Sequence, residues 1–586
     1  MWTRRTLEEV QALVQVARGE RPADLALMGG RVLFVQSGEV LPAHVAVAGR
    51  RIAYVGSSTG FIGPKTRVVD CAGKVIVPGY VEPHTHPTHM ITPGEFARMV
   101  LRTGTTTLVA DTLAVLTLAD PGLWGELLEA LHRLPVQYLW FLRFQRPTRS
   151  AGSERFELDL LETVLHLPSV VAVGEFTRWT ELYRGEESLL RKLVRARRMG
   201  KRAEGHLPGV PYDRVQVLVA AGLSSDHEPI TPEEAWDRLR SGLYVMLRHS
   251  SLRRDLPALA EVARQVGPAF GRLMLTADGS DVAYVVRHGY LDHLLQVAME
   301  SGVPPLAAYA LATLNPATYY GLDEELGMIA PGRLADLLVL PSLENPTPER
   351  VIVRGQVAVD EGEVRVAFPP LDWARYFPPR FRAEWTPQPD WFAFPAPGPE
   401  VSLVGMELDN AVITRRREWS VPVRGGRAVL PEGVVVAVLL DHRGRWMVRA
   451  PLGNFARRLG GLACTFNVAH EILVCGQQPE DMALAVRRVQ AMGGGVALVE
   501  GGAVRLELPL PFGGLMSSLP YEEVAARIEQ LTELLRARGY PHGDVLYTLL
   551  FLPSDGLPRV RLMAEGLWDV RADRLLRPPE PLGSGG

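Results

Sequence analysis

Cysteine is scarce in this 586-residue chain: Cys71, Cys464 and Cys475 are the only three, too few and too scattered for a disulfide framework or a four-thiolate metal site. A reducing, cytoplasmic compartment is the simplest expectation. Lysine is nearly as scarce, with Lys65, Lys74, Lys192 and Lys201 the only four among 63 basic residues, so any site built on a lysine has a short list of candidates. A charge excess of one sign is also missing. The 63 Lys and Arg nearly balance 66 Asp and Glu, which argues against a protein that coats nucleic acid, because such binding neutralises many phosphates. No apolar run approaches the roughly 20 residues that span a bilayer. At the start, Leu7, Val10, Leu13 and Val14 recur at helical spacing instead of forming a continuous apolar stretch before a cleavage site. The expectation is a soluble protein without a nucleic-acid or membrane partner.

At roughly 150 residues per domain the length allows about three or four domains. From Ala23 to about Ile76, short Val-rich runs separated by glycines predict a small β-domain, and the same texture returns after Gly332. The two stretches are expected to pair into one sheet flanking what lies between. Between them, strand-like pieces (TTTLVAD, VQYLWFL, VVAVGEF, AGLSSDH, YVMLRH, GRLMLTAD) alternate with helical ones (GEFARMVLR, LLRKLVRARRMG, LPALAEVARQV) over about 250 residues, the pattern of a parallel (β/α)8-type barrel. The expected division is therefore 1–76 with 327–385 as the small β-domain and 77–326 as the barrel. A Pro-rich, aromatic connector at 386–400 and an α+β domain over 401–586 complete it. The fold class is α/β.

The strongest chemical signal is Val77-Pro78-Gly79-Tyr80-Val81-Glu82-Pro83-His84-Thr85-His86. Residues two apart on a strand share a side, so His84 and His86 at a strand's end would aim both imidazoles at one point above a barrel, as metal ligands. Two histidines in a surface turn are the plainer alternative. Further candidate ligands fall one per strand-like unit: Glu175 in VAVGEFT, His206 in AEGHLPG, His227 in SSDHEP and Asp278 in LTADGSD. Together the six would make a site for one or two divalent ions with nitrogen and carboxylate ligands, which suits Mn, Fe or Zn.

At these residues the sequence resembles the amidohydrolase superfamily. Neither Lys192 nor Lys201 ends a strand, so the carboxylated lysine that bridges two metals in many members has no counterpart, and Glu175 takes the bridging place. Gly174-Glu175-Phe176 points to one branch, the bacterial adenine deaminases. That branch is also matched by VPGYVEPHTH, RTGTTTLVAD, EGHLPGV, AGLSSDHEP, YVMLRHSS, ATLNPATYYGL and GMIAPGRLADLLVL, and toward the C-terminus by EDMALAVRRVQAMGGG and LPLPFGGLMS.

The resemblance implies hydrolytic deamination of adenine, or a close aminopurine, to the oxo-heterocycle and ammonia, with Asp278 moving the proton. It places Glu228, beside His227, with Asp278 among the catalytic or substrate-orienting groups and Arg248 in MLRHSS as a substrate contact; an ordinary surface ion pair is the other reading of Arg248. The resemblance further implies a homodimer or larger assembly. Alternatives are another cyclic amide or amidine hydrolase on this scaffold, and a catalytically silent paralogue.

Several departures cluster where the family keeps charged or metal-capable groups. Pro87-Thr88-His89-Met90 replaces Ile-Glu-Ser-Ser, Asp111-Thr112-Leu113-Ala114 replaces Asp-Pro-His-Glu, and Thr276-Ala277-Asp278 keeps one carboxylate of Thr-Asp-Asp. The stretch Thr465-Phe466-Asn467-Val468-Ala469-His470-Glu471 keeps one histidine of a His-rich segment. His89 and His470 are accordingly candidate substrate contacts, with a plain loop histidine as the alternative for His89. Gly493 to Gly495 fit no phosphate-binding fingerprint and are expected in a helix-to-strand turn.

Overall fold

The computed structural model describes residues 5–149, 153–382 and 385–582; Met1 to Arg4 of the opening segment and the last four residues lie outside that range. Eight parallel strands form the centre. We label them β1 (Tyr80–Thr85), β2 (Thr105–Asp111), β3 (Gln137–Leu142), β4 (Val170–Phe176), β5 (Arg202–Gly205), β6 (Ser225–Asp226), β7 (Tyr244–Arg248) and β8 (Leu273–Thr276). Each pairs in parallel with the next. A parallel bridge between Thr85 and Asp278 brings the two edge strands together, so the sheet is a nearly closed barrel.

Period-two alternation explains how the strands are used. Val81, Val109, Leu139, Phe141, Ala172, Met246 and Met274 share one apolar cluster with Tyr319 and Tyr320. Their strand neighbours Leu108, Ala110, Tyr138, Trp140, Leu142, Val245, Leu247 and Leu275 belong to the larger core that the surrounding helices cover. The first set lines the barrel and the second faces the helices, as layered barrels require. Extending the inner phase two residues beyond each apolar position reaches Asp111, Arg143, Arg248 and, by way of Thr276, Asp278. The fold thus delivers charged groups to the barrel's C-terminal mouth by register alone.

Strands from both sides of the barrel in sequence form one seven-stranded sheet, in which Val75–Pro78 pairs antiparallel with Leu337–Leu340. A four-stranded sheet from residues 25–70 packs on it around Leu27, Val45, Ile76, Leu337 and Ile352. The N-terminal helix, Leu7–Ala17, starts on a Thr6/Glu9 capping box. Its buried side is Leu13 and Val16, while Leu7, Val10 and Val14 are exposed. This differs from the face expected above, because the helix meets Ala26, Ala46, Ala53 and Phe61 through its C-terminal half only.

The C-terminal region is built on a ten-stranded sheet backed by the helix Pro479–Met492. Gly493, at φ 75°, ends that helix in the left-handed conformation, and Gly495 opens the next strand. Phe392 and Phe394 of the Pro-rich stretch are buried in this region's core, with Trp385 and Trp391 packed against it. The region is also joined to the barrel mouth by backbone: Met90 N–H donates to Leu515 O (3.1 Å) and Ser517 N–H to Met90 O (2.9 Å). Among the described residues, no helix is long and apolar enough to cross a membrane.

Candidate active site

The barrel mouth gathers the six candidate ligands. His84 lies on β1 with His86 just beyond it, Glu175 is on β4, and His206, His227 and Asp278 follow β5, β6 and β8. Glu175 turns inward because Gly174 breaks the alternation of β4; a Cβ there would come within 2.6 Å of the Glu204 carbonyl on the neighbouring strand. The two oxygens of Glu175 face opposite ways. Oε2 is 3.9 Å from His84 Nε2 and 3.8 Å from His86 Nε2, whereas Oε1 contacts His206 Nδ1 and is 3.6 Å from His227 Nε2. Asp278 Oδ1 is 3.0 Å from His86 Nε2 and 3.7 Å from His84 Nε2. Three overlapping triads result, His84/His86/Glu175, Glu175/His206/His227 and His84/His227/Asp278, each with ligand atoms within 4.8 Å of one another.

The donor set fits a divalent cation on an independent observation. His84 is fully buried, and its Nδ1 is held 2.8 Å from Glu204 Oε2. Its Nε2 faces carboxylate oxygens of Glu175 (3.9 Å) and Asp278 (3.7 Å) and has no hydrogen-bond partner. A buried imidazole nitrogen left unpartnered beside two carboxylates suits a cation held between them. Neither Lys192 nor Lys201 supplies one: their ammonium groups are held by backbone carbonyls of Phe144 and Phe156 and of Leu167 and Val170.

A ring of charged groups holds the ligands. His86 Nδ1 is 2.9 Å from Asp111 Oδ2. Arg143 donates to both Asp111 oxygens (2.8 and 2.9 Å) and to Glu175 Oε2 (2.6 Å). Arg248 is not a surface residue: its Nη1 is 2.7 Å from Asp278 Oδ2 and 2.8 Å from Glu228 Oε1, and Arg253 reaches Glu228 Oε2 at 2.6 Å. Burial would raise the carboxyl of Glu175, but Arg143 and His206 override it and hold it well below the usual range. Asp278 is held down in the same way, against burial, by Arg248 and His86. For Glu228, burial is outweighed by His206, Arg248 and Arg253, leaving it at about 2. For Glu204, burial outweighs the Tyr320 hydroxyl and the more distant Arg143 and pushes it up to about 8.

His89 stacks parallel on His86 with ring centroids 5.3 Å apart, and meets Phe466 and Tyr547 edge-on at 5.4 and 6.1 Å. His89 therefore lines the site with two aromatics of the C-terminal region, outside the ligand triads. His470 is placed otherwise. Its Nε2 lies 3.4 Å from the Thr117 hydroxyl, and among the described residues no hydrogen bond, ion pair or ring contact ties it to the six. Sequence reasoning missed Arg143, Arg253, Glu204 and Tyr547, and saw Asp111 and Phe466 only within departures. For Arg143 the signal was present, since it continues the inward phase of Leu139 and Phe141.

Because Glu204 holds the His84 ring in place through Nδ1, Glu204→Ala is expected to weaken metal binding about 10–100-fold while the fold persists. Metal titration of the chelated protein checks this; unchanged affinity would mean Glu204 does not orient His84.

This parallel barrel with His, Glu and Asp side chains gathered at its C-terminal mouth is the architecture of metal-dependent hydrolases, and residues 75–358 match the amidohydrolase family. Residues 411–574 match the adenine deaminase C-terminal domain. A protein of Halalkalibacterium halodurans is 35% identical over 582 residues, covering 98% of both chains. The adenine deaminase of Methylobacterium sp. (strain 4-46) is 33% identical over 97% of this chain and 100% of its own. That of Deinococcus deserti is 34% identical over 97% and 98%. The chain belongs to the adenine deaminase family.

Proposed function

We propose that the chain hydrolyses adenine to hypoxanthine and ammonia, using one or two divalent ions (Mn, Fe or Zn) held by His84, His86, Glu175, His206, His227 and Asp278. The observation that carries this reading is the opposed orientation of the two Glu175 oxygens, one toward each histidine pair. A divalent ion held there supplies Lewis-acid activation of water at neutral pH. Asp278, kept ionised by Arg248, accepts a proton from the attacking water at a carboxylate oxygen and returns it to the exocyclic nitrogen as the C–N bond breaks. Glu228 positions Arg248 against Asp278 and so acts through it. Arg143 holds Glu175 and Asp111 in place, and Asp111 in turn orients His86. His89, Phe466 and Tyr547 form an aromatic wall beside the site that suits a flat heterocycle.

The test is an ammonia-release screen over purines, pterins and pyrimidines with metal-reconstituted protein. Adenine should be turned over, with activity lost on chelation and restored by Mn, Fe or Zn. Turnover of a pterin or pyrimidine without adenine would favour another cyclic amidine hydrolase. Less than one equivalent of metal per chain, with no recovery on adding any of the three ions, would favour a silent paralogue.

A further inference from the structure

The short helix Val545–Phe551 carries Tyr547 from the C-terminal region to the barrel mouth. Its ring meets His89 at 6.1 Å, and its hydroxyl lies in the field of Asp278, Asp544 and Arg248. That hydroxyl is buried and has no hydrogen-bond partner, a condition native proteins rarely leave uncompensated. A second feature concerns the same atom. Gly279, next to Asp278, has no left-handed φ that would demand glycine, yet a Cβ there would fall inside the van der Waals envelope of the Tyr547 hydroxyl. Glycine at 279 is therefore a spatial requirement, and the space it leaves belongs to the phenol.

The position is anchored as well as vacated. Asp544 Oδ1 accepts the Tyr547 backbone N–H (3.0 Å), and its Oδ2 accepts from the Ser251 hydroxyl (2.7 Å). The Ser251 oxygen in turn accepts the Asp281 N–H (3.0 Å). Ser251 and Asp281 lie in the loops after β7, which ends in Arg248, and after β8, which is followed by Asp278. The helix is thus tied to the two loops that flank the proposed proton-transfer group.

We propose that Tyr547 is a substrate-recognition residue whose hydroxyl donates a hydrogen bond to a ring nitrogen of the heterocycle bound beside Asp278. The inference rests on the deaminase reading and deepens it, requiring a substrate with an unprotonated ring nitrogen on the side facing the C-terminal region. Burial, with Asp278 and Asp544 nearby, pushes the Tyr547 phenol well above its ordinary range, so at neutral pH it keeps its proton and is a donor. An orphaned donor aimed at a heterocycle site discriminates strongly, because an analogue without the acceptor leaves the buried hydroxyl unpaired.

The experiment compares wild type and Y547F, both loaded with the ion that gives the highest turnover. It measures adenine deamination and inhibition by the 1-, 3- and 7-deaza analogues. Y547F should lose at least tenfold in kcat/KM with metal content and thermal midpoint unchanged. One deaza analogue should bind wild type at least tenfold more weakly than adenine, and Y547F should not make that distinction. G279A probes the contact from the other side: activity should fall in the wild-type background and fall less when combined with Y547F. Wild-type turnover matched by Y547F, or a Y547F defect accompanied by loss of metal or a lower midpoint, would overturn the role of Tyr547 alone. A wild type that releases no ammonia from adenine would overturn the deaminase reading and this inference with it.

Discussion

Glu175→Gln should strip metal from the barrel mouth and lower adenine turnover by about four orders of magnitude or more, because water without a cation is a far weaker nucleophile at neutral pH. The substitution preserves size and leaves Gly174 and the β4 backbone untouched. It removes the negative charge that faces both histidine pairs, and it offers an amide N–H to imidazole nitrogens on one side or to Arg143 on the other. In the intact protein Arg143 Nη2 is 2.6 Å from Glu175 Oε2 and still has Asp111 as a partner, so the buried guanidinium is not orphaned and the fold should survive. Metal per chain, measured by elemental analysis beside a circular dichroism control, checks this. A full metal complement with undiminished turnover would remove Glu175 from the ligand set.

Asp278→Asn should separate binding from chemistry. His84, His86, Glu175, His206 and His227 remain to hold an ion, so most of the metal should stay, while an amide cannot accept the proton that Asp278 is proposed to carry. General acid–base groups contribute about 10²–10⁴-fold, and a loss in that range is expected in turnover, with metal content close to wild type. The geometry makes the substitution clean on one side: Arg248 loses a charged partner at 2.7 Å but keeps Glu228 at 2.8 Å. Wild-type turnover by D278N would mean that another group moves the proton.

The six gathered side chains were legible because each closes a short apolar or small-residue run, and in a barrel such runs end at one rim. The same rule applied to β2 and β3 would have found Asp111 and Arg143. What sequence alone withholds is strand phase: whether Leu139 and Phe141 face the lumen or the helices is decided by packing, as the separate clusters of Phe141 and Trp140 show. Gly174 compounds the difficulty, since it shifts the phase so that Glu175 points inward where strict alternation from Ala172 would turn it out.

The aromatic wall was illegible for a different reason. Phe466 and Tyr547 reach His89 from a separately built sheet region, through contacts that no local spacing encodes. His470, marked by resemblance, likewise comes to the barrel side through a contact with Thr117 that no local spacing encodes. The exposed Leu7, Val10 and Val14 show that helical periodicity finds a helix more surely than the face it buries, because a short helix can dock through one end.

The most direct test is anomalous diffraction at the absorption edge of the reconstituting metal, on crystals of the loaded protein. One or two peaks among His84, His86, Glu175, His206, His227 and Asp278, with Glu175 ligating through either or both oxygens, is the predicted result. A density map with no peak there, or with the ion instead at the separate Asp441, His442 and Glu471 cluster, would contradict the account.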